Sequence, residues 1–201
     1  ILEVHQKASV TIPANTVQGD SLALIAIRRN INSWEEYEVS ERMEHWQGVT
    51  VWKSGPNKGR VRSARFALFD TKEELPYEVQ YLTAAEELYF FGNSNSFLKD
   101  LDPGEYVTTL TNLKRLTIGA YGLSTIPESF KNLSNLEMLD LGANNFQKIP
   151  EIITPENFPN LRSLYLNTNT RRTIYDLKNT VYENYGGLVD DTPADAEGKR
   201  T

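Results

Sequence analysis

Acidic clusters, two histidines and a glycine-rich turn are the residues of this 201-residue chain whose types and spacing could do chemistry. The densest acidic run holds Glu35, Glu36, Glu38, Glu41 and Glu44. Paired carboxylates drive glycoside hydrolysis only when a fixed separation and a sugar cleft accompany them. The surrounding sequence builds neither, so the run reads as a solvated face. His5 has no partner pattern and reads as solvated, and with only His45 besides, a histidine metal site has no basis. The chain has no cysteine, which removes disulfides, thiolate nucleophiles and cysteine-ligated metals together. Ser54-Gly-Pro-Asn-Lys-Gly59 is not followed by the Lys-Ser or Lys-Thr of a phosphate-binding loop. Arg28 and Arg29, at the end of a predicted helix, complement its dipole rather than bind phosphate. Asp190, Asp191, Asp195 and Glu197 do not match a calcium-loop spacing. No nucleophile and base pair can be nominated, so no catalytic residue, cofactor or metal ligand is assigned and an enzyme is the least supported class.

A net charge of -6 and a pI near 5.1 disfavour wholesale binding to nucleic acid or an anionic membrane. The apolar runs are far below the ~18 residues that span a bilayer, so no membrane insertion is expected. The chain begins at Ile1, and is read as a mature or excised fragment whose targeting segment is not shown.

The elements that must position any functional side chain are set by one recurring apolar pattern. It runs Leu110, Leu113, Leu116, Ile118, Tyr121; then Leu133, Leu136, Leu139, Leu141, Asn144; then Phe158, Leu161, Leu164, Leu166, Asn169. The steps from Leu110 to Leu133 and from Leu133 to Phe158 are 23 and 25 residues. A period in the twenties with this pattern is the signature of a leucine-rich repeat, whose units bury their apolar faces only by stacking. Leu139 and Leu141, one residue apart, point to the same face of a short strand. Asn144 carries amide donors and an acceptor, and is read as a structural rung that satisfies backbone groups where the chain leaves the strand. Ile126-Pro127 and Ile149-Pro150 close the return path, where proline stops an element from continuing. Two degenerate units precede the regular ones: Val61, Ala64 and Phe66 leading to Leu75-Pro76, then Leu82, Ala85, Leu88, Phe90 and Asn93. The longer step to Leu110 puts an inserted loop at Leu98 to Tyr106.

Upstream, residues 1–19 read as an extended segment, either an edge strand around Val10 and Ile12 or a connector. Gly19-Asp20-Ser21 offers a helix start, followed by Leu22, Leu24, Ile25, Ile27 and Ile31 at helical spacing. Trp46 to Trp52 alternates like a strand, and after the Ser54–Gly59 turn the run from Arg60-Val61 completes a hairpin. A short helix, a tryptophan, then Trp46-Gln-Gly48-Val49 followed by Gly59-Arg-Val61 resembles the N-terminal cap of plant-receptor-type leucine-rich repeat proteins. That family usually flanks the tryptophan segment with two cysteines, and the matching positions here are Glu44 and Val51. The resemblance then implies that Trp34, Trp46 and Trp52 close the end of the solenoid by apolar packing. A cysteine-free cap is more similar to the leucine-rich repeat proteins on the surface of Gram-negative gut bacteria than to eukaryotic secreted ones. Beyond Asn169 the pattern fails, with Arg171 and Tyr175 at the expected apolar and proline places and Ile174 alone conforming. Residues 180–201 are either a loop before further repeats or a frayed tail, and truncation is the favoured reading because no polar capping unit is evident.

The expected fold is therefore α/β: a right-handed leucine-rich repeat solenoid with a parallel sheet on its concave face. It would comprise a helix and hairpin cap over 20–60 and about five repeats over 61–179. Between the core leucines, strand centres align as one outward row of Arg65, Tyr89, Thr117, Asp140 and Tyr165. The adjacent row is Ala67, Phe91, Gly119, Gly142 and Asn167. Outward aromatics on a rigid sheet offer large contact area at low entropy cost. Arg65, Tyr89, Phe91, Thr117, Asp140, Tyr165 and Asn167 are the candidate partner-binding residues. The leading reading is a non-enzymatic module that binds a protein or peptide at a bacterial cell surface or outside the cell. The alternative is polysaccharide binding by the same aromatics beside Asp140 and Asn167.

Overall fold

The computed structural model describes residues 11–31, 42–69, 74–93, 101–146, 148–166 and 169. His5, Val10, Trp34, the acidic residues from Glu35 to Glu41, Asn167, and all positions after Asn169, including Arg171, Ile174, Tyr175 and the acidic residues from Asp190, lie outside them.

The helix begins earlier than Gly19-Asp20-Ser21 suggested, and runs as α1 over Val17–Ile31. Thr16 is its cap, with Oγ1 accepting from the Gly19 amide at 2.9 Å; this satisfies one of the free N–H groups of the first turn. Ala23, Leu24, Ile27 and Ile31 are buried at helical spacing, while residues 11–13 form no strand. The predicted hairpin is present as β1 (Val49–Val51) antiparallel to β2 (Val61–Phe69). From β2 the sheet continues strictly in chain order and in parallel through β3 (Glu87–Gly92), β4 (Arg115–Gly119), β5 (Met138–Asp140) and β6 (Ser163–Tyr165). Among the described residues, β2 to β6 are five parallel strands, and β1 adds a sixth, antiparallel one.

Leu88 and Phe90, Leu116 and Ile118, Leu139 and Leu141, and Leu164 and Leu166 are all buried. Each pair is separated by one residue, so the pleat turns both side chains to the core. Burial of each such side chain is worth roughly 1.5–3 kcal/mol, which neighbouring units supply to one another. Phe66 and Phe90 stack at 5.0 Å in that core. On the return path the prolines begin turns rather than merely ending elements. Pro76 and Pro127, at φ -57 and -69, precede the 3-10 turns Tyr77–Tyr81 and Glu128–Asn132, because the proline ring pre-sets the dihedral such a turn needs.

The expectation that the tryptophans close the cap by packing holds for Trp46, which is buried, but not for Trp52. Trp52 is half-buried, its indole N–H donates to the Ala84 carbonyl at 2.9 Å, and the Arg62 guanidinium lies 4.9 Å over its ring. A tryptophan so placed clasps the cap to the next unit by a hydrogen bond. Arg28 lies in the last turn of α1, as a dipole partner should, and has a second role. It is buried, lies over Trp46 at 5.7 Å and donates to the Gln47 carbonyl at 3.0 Å, so it ties α1 to the turn before β1.

Candidate functional site

The strand register sets the outward rows. Arg65 pairs with Tyr89, Tyr89 with Thr117, Thr117 with Asp140, and Asp140 with Tyr165. In the second row Ala67 pairs with Phe91 and Phe91 with Gly119; Asn167 lies outside the described residues. Neighbouring strands sit ~4.8 Å apart, so the first row is a continuous line across five strands.

Tyr89 and Phe91 lie side by side with ring planes 13° apart and centroids 5.9 Å apart, and the Arg65 guanidinium lies 4.9 Å over the Tyr89 ring. Phe91 leans onto the next strand. A Cβ built on Gly119 would stand 2.6 Å from its ring carbons, so glycine is required there to let the ring lie flat. Gly119→Ala should therefore swing Phe91 off β4 and cost about 1–3 kcal/mol, read as an altered near-UV circular dichroism band with a lowered melting point. An unchanged aromatic band would refute that placement.

Thr117 shares the row but is only 3% exposed, so it forms the floor between Tyr89 and Asp140 and offers little to a partner. Asp140 is half-buried and accepts from the Gly142 amide at 2.8 Å. Burial pushes its carboxyl above the usual range, only partly offset by that hydrogen bond. The Tyr89 phenol is also raised, first by its own burial; Arg65 acts against the rise and Asp140 adds to it.

Two features of this face were not read from the sequence. One is a column just ahead of the strands, Arg62, Glu86, Lys114, Glu137 and Arg162, which alternates in sign. Glu86 pairs with Arg62 at 3.1 Å and Lys114 at 2.7 Å, and the Lys114 hydrogen bond is the main cause of its lowered pKa. Arg62, Glu86, Lys114 and Glu137, with Thr50, Ser63, Glu87 and Arg115, line a cleft of about 460 Å³. The other is a second amide ladder. The Asn112, Asn135 and Asn160 side chains donate to the carbonyls of Thr83, Thr111 and Ser134, each in the preceding unit, at 2.9, 2.8 and 3.0 Å. The Asn-Leu pairs at 112, 135 and 160 recur at the repeat spacing, and that recurrence was the available signal.

Asn144 is the rung anticipated from its amide chemistry. Its Oδ1 accepts from the amides of Tyr121, Gly122 and Leu123, and its Nδ2 faces the carbonyls of Ile118, Leu141 and Gly142. Asn169 repeats the arrangement one unit on, accepting from the Phe146 amide and donating to Leu141 and Leu166. The family description "Leucine Rich repeats (2 copies)" matches residues 134–179. The chain folds as a leucine-rich repeat solenoid.

A plant ice-binding protein shares this leucine-rich repeat fold, with a TM-score of 0.57 at 24% identity over 75% of this chain and 48% of that one. The PEPR1-AtPEP1 structure gives 0.51 at 23% identity over 74% of this chain and 21% of its own. The ectodomain of the receptor kinase SOBIR1 from Arabidopsis thaliana gives 0.49 at 19% identity, covering 78% and 80%. The chain thus spans about half of the ice-binding protein and about a fifth of the PEPR1 chain. A comparison with curated proteins gave no match. Leucine-rich repeats are in general protein-interaction modules rather than enzymes. Among the described residues, no helix is long and apolar enough to cross a membrane.

Proposed function

We propose that this leucine-rich repeat chain is a non-enzymatic recognition module that binds a protein or peptide partner across its concave face. The observation that carries the reading is the outward line of Arg65, Tyr89, Asp140 and Tyr165, in register on a rigid sheet and flanked by Phe91. Pre-ordered aromatics and an arginine are the side chains that dominate protein interfaces. Asn167, which the sequence pattern aligns with the second row, is included in the proposed surface. The Arg65 guanidinium over Tyr89 favours a polypeptide over a polysaccharide, because it covers a ring face that a sugar would stack on. The cysteine-free cap supports a location outside the cell, at a bacterial surface, as part of this proposal.

Tyr89→Ala, Phe91→Ala and Tyr165→Ala should each weaken capture of a polypeptide partner by about 1–3 kcal/mol while folding cooperatively. Biolayer interferometry on partners recovered from the organism's own surface fraction checks this. Retained affinity in all three variants would sink the assignment. A fluorescence response to soluble polysaccharides that these substitutions abolish would transfer the same surface to glycans.

A further inference from the structure

Asp140 is, among the described residues, a carboxylate without a cation partner. Among the described residues its polar contact is the Gly142 amide, and no lysine or arginine forms an ion pair with it, although nine ion pairs occur elsewhere. On the neighbouring column every described charge position alternates in sign, and Glu86 holds two cations. Among the described residues, counter-charges are thus supplied at the sheet edge, while Asp140 has none on the open face.

Aromatic side chains stand on both sides of Asp140 in the row, one adjacent and one beyond Thr117. Tyr165 pairs with it directly on β6, and Tyr89 stands two strands away on β3, across the buried Thr117. A half-buried carboxylate costs free energy unless paired, whereas a carboxylate set between aromatic side chains is a favourable seat for an ammonium or guanidinium group. The cation on the far side of Tyr89 belongs to Arg65, three strands from Asp140.

We propose that Asp140, between Tyr89 and Tyr165, receives a lysine or arginine side chain of the partner polypeptide. The inference rests on the concave-face reading and adds the chemistry of one subsite. The charged side chain enters over Thr117, pairs with the free carboxylate oxygen of Asp140, and lays its stem against the tyrosines. The other oxygen keeps the Gly142 amide.

The test is to pan a displayed library of random linear 12-residue peptides against the chain, with Asp140→Asn and Tyr89→Ala as parallel targets. Asp140→Asn keeps an acceptor for the Gly142 amide and removes an uncompensated charge, so its melting point should hold or rise. The expected result is enrichment of peptides with a basic residue, whose synthetic versions bind Asp140→Asn about tenfold or more weakly. Replacing that residue by norleucine should weaken binding to the parent by the same factor and leave binding to Asp140→Asn unmoved. Peptides that need Tyr89 but show no basic residue, or that bind Asp140→Asn as well as the parent, overturn this inference and leave the concave-face reading standing. Peptides indifferent to both substitutions, or no enrichment over a blank surface, overturn both.

Discussion

Asp20→Ala is expected to cost about 3–5 kcal/mol of stability, a larger loss than any substitution on the concave face. Asp20 is fully buried. Its carboxylate accepts from Arg60 Nε at 2.9 Å and Nη2 at 2.7 Å, and from the Val61 amide at 2.7 Å. The network runs on, since Arg60 Nη2 also donates to Thr83 Oγ1, which donates to Asn15. One side chain on α1 thereby holds the start of β2 and the turn into β3. Alanine would leave a buried guanidinium and a buried amide without their acceptor, and the cost lies in those orphaned groups. Urea unfolding followed by tryptophan fluorescence checks this, since Trp46 and Trp52 both report on the cap. Asp20→Leu combined with Arg60→Met should recover part of the loss, because it removes both charges together. A midpoint for Asp20→Ala within error of the parent would refute the clasp.

The clasp accounts for how a cap of this kind stays shut without cysteine. At the two positions where similar caps carry the bond, Glu44 pairs with Arg42 and Lys53 at the surface and Val51 is buried. Exposed pairs such as these contribute little. The closing interactions lie instead in Asp20 with Arg60, Trp52 with Ala84, and Arg28 with Gln47. None was legible in the sequence, because each joins residues far apart in the chain with no repeat to mark them. Gly19-Asp20-Ser21 even carries the composition of a helix start, which hid the role of Asp20.

The sheet was legible for the opposite reason. Once the spacing of Leu116, Leu139 and Leu164 fixes the repeat, period-two alternation leaves only one register. Tyr89, Asp140 and Tyr165 then fall in line without further information. Exposure within the row was not legible. Thr117 alternates outward like its neighbours and is buried all the same, because the height of adjoining side chains is a three-dimensional property that alternation does not encode. The sign alternation from Arg62 to Arg162 was available but sits three places ahead of the strand centres.

Asn144→Ala should be the most damaging change within the repeats, costing on the order of 4 kcal/mol or more, since an unpaired buried polar group costs about 1–3 kcal/mol and three amides would lose their acceptor together. Asn144 is fully buried, so water cannot replace it. Its position depends on Ala143, held at φ 57, as Ala120 is at φ 47 one unit earlier; L-residues adopt this left-handed region only at some cost, which the amide bonds offset. Amide hydrogen exchange gives a site-resolved readout: Tyr121, Gly122 and Leu123 should lose protection first. Asn144→Asp should fare no better, because it keeps the acceptor but turns a negative charge toward the carbonyls of Ile118, Leu141 and Gly142. Asn169→Ala should destabilise the next turn in the same way, since its Oδ1 accepts from the Phe146 amide and its Nδ2 donates to the Leu141 and Leu166 carbonyls. Unchanged protection at Tyr121 to Leu123 in Asn144→Ala would show that packing of the leucines, rather than the amide rungs, sets the stability of the turn out of each strand.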